Sequence, residues 1–146
     1  MLTAKKINVN YKDLHANTAL HLAAQNGQLG VAEHLIEAGA NLNAPNAHKH
    51  IPLHLAAQNG HMPMTKVLVD GGSDLNFPDL IGMYLTYLIP IFFISFLIYT
   101  IFSGNTPLHT AVHNSHTEIA KYLVASGADE FKRNLSGLTP FQLVGK

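Results

Sequence analysis

The strongest constraint on this 146-residue chain is a recurrence. Thr18-Ala-Leu-His21-Leu-Ala-Ala-Gln-Asn-Gly27 returns as Ile51-Pro-Leu-His54-Leu-Ala-Ala-Gln-Asn-Gly60, identical at eight of ten positions. The step from Thr18 to Ile51 sets a period of about 33 residues, the length of one small supersecondary unit. A third copy, Thr106-Pro-Leu-His109-Thr-Ala-Val-His-Asn-Ser115, follows later than one period predicts, and the excess lies between Gly82 and Asn105. Thr139-Pro-Phe-Gln then opens a fourth copy one period after Thr106. A fixed period of this kind specifies units that cannot bury their apolar faces alone and must stack on one another.

Within each period the residues spell two short helices and a turn. Thr18 suits the N-cap of a first helix, whose small Ala23 and Ala24 admit a close neighbour, and Gly27 ends it. A second helix then carries Val31, Leu35 and Ile36 at helical spacing, with Gly39 suited to its C-terminal cap. The second copy matches with Ala56, Ala57, Gly60, Met64, Leu68, Val69 and Gly72; the third with Ala111, Val112, Ile119, Leu123, Val124 and Gly127. Polar turn segments run from Asn10, Asn43 and Asn76.

The stretches Thr18-Ala-Leu-His21, Ile51-Pro-Leu-His54 and Thr106-Pro-Leu-His109, each followed by a helix pair and a Gly-Ala or similar ending, resemble the ankyrin-repeat family. The resemblance implies an all-α solenoid of stacked helix-turn-helix units, with an extra apolar helix inserted at a turn. On that reading residues 1–9 are a partial segment, 10–42 repeat one and 43–75 repeat two. Repeat three comprises 76–82 and 105–130, interrupted by 83–104, and 131–146 begin a fourth, so the chain reads as part of a longer array. Departures from the family pattern are Ala19 in place of Pro, Ile51 in place of Thr, and Ala16 and Lys49 in place of the turn Gly. Ser115 stands where a helix-breaking Gly belongs, and Pro63 falls inside a second helix, tolerable only near its start.

The interruption is chemically unlike its surroundings. From Leu80 through Pro90 to Phe102 the chain carries no charge, and the run exceeds the ~20 residues that one helix needs to cross a bilayer. Tyr84, Tyr87 and Tyr99 stand near its ends as interfacial aromatics do. Its position argues otherwise, because removing Met83 to Gly104 restores an unbroken repeat, whereas a single crossing would part repeats two and three. A third observation is at codon level: Gly-Met-Tyr can be written with a splice-donor string, and Phe-Ser-Gly with a pyrimidine run and acceptor. Three readings therefore stand: a translated intron, a membrane anchor, or a partner-binding insertion. A cDNA across Gly82–Asn105 separates the first from the others. The chain is expected in the cytoplasm if the segment is no membrane span, since Met1 to Asn8 lack a secretory apolar run, and otherwise in a membrane with a single pass.

Composition then narrows function. Nine Lys+Arg balance nine Asp+Glu, which argues against a nucleic-acid-binding module. The absence of cysteine removes disulfides, thiolate metal sites and a cysteine nucleophile. Ten histidines raise the question of metal, but His21, His54 and His109 share one repeat position and are expected to hydrogen-bond the turns, with Thr18 or Thr106 nearby. The His109/His113 pair has half of a zinc-helix spacing without its Glu. No glycine-flanked serine, carboxylate pair or phosphate loop occurs, so neither enzyme activity nor a cofactor, metal or small-molecule substrate is expected. What remains is surface. By the resemblance, turn tips and first-helix faces read a protein partner: Tyr11, Lys12, His15, Asn46, His48, Lys49 and Asp79 at the tips, and Gln25, Gln58 and His113 on the helix face. Asn26, Asn59 and Asn114 are expected to satisfy helix ends. With only 12% charged residues, recognition by shape and hydrogen bonds is expected to outweigh electrostatic steering.

Overall fold

A computed structural model of the chain describes residues 8–79 and 104–143. Their regular structure is helical throughout: α1 Ala19–Asn26, α2 Leu29–Glu37, α3 Pro52–Gln58, α4 Met62–Asp70, α5 Pro107–His113, α6 Thr117–Ala125 and a 3-10 helix Pro140–Leu143. Thr18 and Thr106 are extended N-caps, with φ of −88° and −84°. Pro52 and Pro107 take the first helical position, where a missing N–H leaves no bond unmade. Pro63 is the second residue of α4 and is harmless for the same reason. Each first helix packs on its own second helix, and α1, α3, α5 and the 3-10 helix form one row.

The repeat position of Leu20, Leu53 and Leu108 is fully buried in all three units, inside one core. Ala23, Ala24, Ala56, Ala57 and Ala111 let the first helices approach closely, and Leu68 and Leu123 close the core from the second helices. Burying each leucine contributes about 1.5–3 kcal/mol. Val31 departs from the expected core stripe. It is 51% exposed, whereas its equivalents Met64 and Ile119 are buried. The reason is positional: among the described residues, α2 has a stacked neighbour only on its α4 side.

The missing turn glycines leave a measurable mark. Ala16, Lys49 and Ser115 adopt φ of 58°, 59° and 61°, the left-handed region that costs a side chain about 1–2 kcal/mol. Gly60 has the same conformation for a second reason: a Cβ there would lie 2.7 Å from the His116 ring, whose Nε2 donates to Gln58 O at 3.0 Å. His61 covers Gly27 and donates to Gln25 O in the same way. Among the described residues no histidine covers Ser115, so a side chain fits there. Ala16→Gly and Ser115→Gly are each expected to stabilise the fold by about 0.5–1 kcal/mol, the strain relieved less the added freedom of the unfolded chain. Gly60→Ala is expected to cost about 2–3 kcal/mol, from strain plus the lost His116 bond. Urea midpoints of the three variants check both signs; a Gly60→Ala chain as stable as the parent refutes the steric account.

Each turn is closed by one pair of hydrogen bonds. Asp13 N donates to Asn17 O and Asn17 N to Asp13 Oδ1, at 2.9 and 2.8 Å. Asn46 and His50, and Asn134 and Leu138, repeat the pair at the same short spacing. In the third turn Asp79 N donates to Asn105 O, and Asn105 N to Asp79 Oδ1, both at 2.8 Å, although the apolar run separates the partners in sequence. The third turn is therefore closed by the same pair as the others, across the interruption. A one-way crossing of ~30 Å of hydrocarbon between these two residues would require breaking the pair and parting α3 from α5. Among the described residues no helix is long and apolar enough to cross a membrane. The expected apolar helix and span, with Leu80, Pro90 and Phe102, lie outside the described residues.

Candidate functional site: the turn tips and the first-helix face

Repeat-to-repeat hydrogen bonds hold the turns in a row. In each first helix the buried histidine faces a carbonyl of the next turn. His21 Nε2 meets His50 O at 3.0 Å, His54 Nε2 meets Asn105 O at 3.0 Å, and His109 Nε2 meets Leu138 O at 3.1 Å. A carbonyl can only accept, so the ring proton sits on Nε2 and leaves Nδ1 as an acceptor. Nδ1 then accepts the backbone N–H of Thr18, Ile51 or Thr106. The Thr18 and Thr106 hydroxyls approach the same nitrogen at 2.9 Å; Ile51, in the position the family gives to Thr, supplies none and is itself buried. Burial lowers all three pKa values, that of His54 to about 4, with the neighbouring His50 the next cause for His54. These rings are structural, as their repeat position implies.

A second ladder joins the turns by side chains. Asn46 Nδ2 donates to Asn17 Oδ1 at 2.9 Å and Asn134 Nδ2 to Asn105 Oδ1 at 3.0 Å. Between them the same rung is His50 Nε2 against Asp79 Oδ2 at 3.4 Å, with the His50 ring stacked 5.4 Å from that of His54. This geometry corrects two expectations. Asn46 and Asp79 are buried, because their side chains are turned inward to close turns and bridge repeats, so neither presents itself to a partner. Asn26, Asn59 and Asn114 each donate from Nδ2 to the carbonyl one helical turn back, at 2.8 Å, as helix-end residues should.

The remaining expected contacts are on the surface. Tyr11, Lys12, His15, His48 and Lys49 are at the surface of the first two tips, and Gln25, Gln58 and His113 on the first-helix face. Tyr11 is 74% exposed and lines an open apolar cleft with Leu22 and Leu35. Lys12 bridges the tips, its Nζ donating to Pro45 O at 2.7 Å, and His15 O accepts Ala47 N. Four exposed residues of the same row were missed: Leu14, Lys132, Arg133 and Leu135. Lys132, Arg133 and Leu135 are the repeat equivalents of Tyr11, Lys12 and Leu14, so the period, corrected for the interruption, already pointed to them. Leu135 packs against Gly104, which keeps the last tip in the row. His109 is engaged through both ring nitrogens, and no three His, Asp or Glu side chains among the described residues could hold a metal ion.

The family model described as "Ankyrin repeats (3 copies)" matches residues 1–79, and the one described as "Ankyrin repeat" matches 103–135. The chain belongs to the ankyrin-repeat family, a class of stacked-helix proteins that generally serve as protein–protein interaction modules. Both matches omit 80–102, the same uncharged run that interrupts the recurrence. No curated protein matches the chain.

Proposed function

We propose that this chain is a non-enzymatic scaffold or adaptor that binds a protein partner through its turn tips and first-helix face. One observation carries the reading. The histidines and asparagines that build the tips turn inward to bridge repeats, while Tyr11, His15, His48, Lys49 and Gln58 project outward from the same frame. A surface fixed in advance loses little conformational freedom on docking, and Tyr11 has the size and exposure of an interface anchor. The same reading assigns the chain neither nucleic acid nor small-molecule substrate. On this reading the chain works in the cytoplasm when 80–102 are not a membrane span. Attachment to a membrane through 80–102 is the second reading, favoured by the length of the uncharged run. The paired ends at Asp79 and Asn105 support an attachment that returns to its own side of the bilayer.

Photo-crosslinking in cells tests the proposal. A benzophenone side chain at Tyr11 or Gln58 of the full chain is expected to capture discrete protein adducts, and one at Glu37, on the far side of the helix pair, is not. Adducts from neither of the first two positions, or equal capture from Glu37, overturn it.

A further inference from the structure

We propose that the partner segment read by the turn tips is an acidic peptide carrying apolar side chains; this deepens, and rests on, the protein-binding reading above. The chain is neutral as a whole, yet its charges are sorted. Of the six Lys and Arg among the described residues, four lie on the tips: Lys12, Lys49, Lys132 and Arg133. His15 and His48 stand at the surface beside them. Seven of the nine acidic residues lie outside the turn tips. Glu33, Glu37, Asp70 and Glu118 lie on second helices, and Asp74, Asp129 and Glu130 on the segments that leave them. Among the described residues only two carboxylates share the tips. Asp79 is buried against His50. Asp13 accepts the backbone N–H groups of Asn17 and His15, which together with its Asn17 side-chain contact hold its pKa below the usual carboxylate value, so it keeps its charge and offsets one of the four tip cations.

Local detail strengthens the pattern. Hydrogen bonds hold two of these cations at their tips: Lys12 to Pro45 O, and Arg133 Nη1 to Gly137 O at 2.6 Å. Large apolar side chains are exposed beside them, Tyr11 at 74%, Leu14 at 102% and Leu135 at 63% exposure. A row of cations interleaved with apolar groups is complementary to an extended segment in which carboxylates alternate with apolar residues. The carboxylates on the second helices would repel the same segment there, which favours docking at the tips. The low overall charge therefore does not make recognition neutral, as the composition suggested; sorting restores a local field that a count averages away.

Phage-displayed random peptides selected on the full chain, held in a non-ionic detergent, test this. Enriched sequences are expected to be rich in Asp and Glu with interspersed apolar residues. Their affinity should fall at least about tenfold when ionic strength rises from low to physiological. Lys49→Glu/Lys132→Glu, whose side chains make no bond that shapes the turns, should weaken them by at least tenfold again, while Lys66→Glu on α4 changes affinity less than twofold. Enriched peptides without acidic residues, or equal losses in Lys66→Glu, overturn the acidic assignment and leave the protein-binding reading in place. No enrichment at all overturns that reading and this one with it. Binding to phosphatidylserine vesicles without peptide enrichment identifies the tips as a lipid-facing surface and likewise overturns the proposal.

Discussion

Acidification from neutral pH to about 4 is expected to remove roughly 3 kcal/mol of stability through His54 alone. Its ring is buried, chiefly desolvated, and held neutral down to about 4 against an ordinary 6.5. The unfolded chain therefore takes up a proton near 6.5 that the folded chain refuses until about 4. A base with a depressed folded pKa stabilises the fold above its unfolded value, and that contribution drains away as pH falls between the two. The hydrogen bonds give the atomic reason: protonation would put an N–H on Nδ1 against the N–H of Ile51, donor facing donor. His21 and His109 shift in the same direction, again first through desolvation, and steepen the loss. Urea unfolding at pH 7 and pH 4, with the His54 ring state followed by nitrogen NMR, measures it. Stability unchanged across that range, or a His54 ring that charges near its ordinary value, sinks the account.

Leu53→Ala is expected to cost about 3–4 kcal/mol, a large part of what a small domain possesses. Leu53 is fully buried in the middle first helix, with α1 on one side and α5 on the other. Removing its side chain opens a cavity at the join between repeats, where α1, α3 and α5 already meet through alanines and have little freedom to collapse further. Leu22→Ala is the contrast. Leu22 lies on α1 and is 45% exposed, and its truncation is expected to cost less than about 1 kcal/mol. A urea series on both variants reads the difference directly. Comparable losses would mean that the core does not run through the Leu20, Leu53 and Leu108 positions.

Much of this architecture is legible in the sequence because a stacked solenoid writes each structural need once per period. Leucines at one repeat position become a buried row, and Ala pairs a close helix approach. The His21, His54 and His109 series becomes a chain of ring-to-carbonyl bonds. The misreadings have a common physical origin: they concern which way a residue of known location faces. Asn46 and Asp79 sit at the turns, as the spacing implied, but turn residues can satisfy backbone N–H groups as readily as meet a partner, and here they do the former. Val31 has the spacing of a core residue but, among the described residues, α2 has a stacked neighbour on its α4 side only.

The sequence by itself determined the repeat, the helix pairs, the positions of the turns and the place where an apolar run interrupts them, because these follow from local periodicity and the backbone preferences of Gly, Pro and Thr. Only the tertiary structure decided that the third turn still closes, Asp79 to Asn105, across the interruption. It also decided that one rung of an otherwise amide ladder is a His–Asp pair. Those outcomes depend on which side chains distant in sequence are brought within a few ångströms of each other, and no single repeat contains that information.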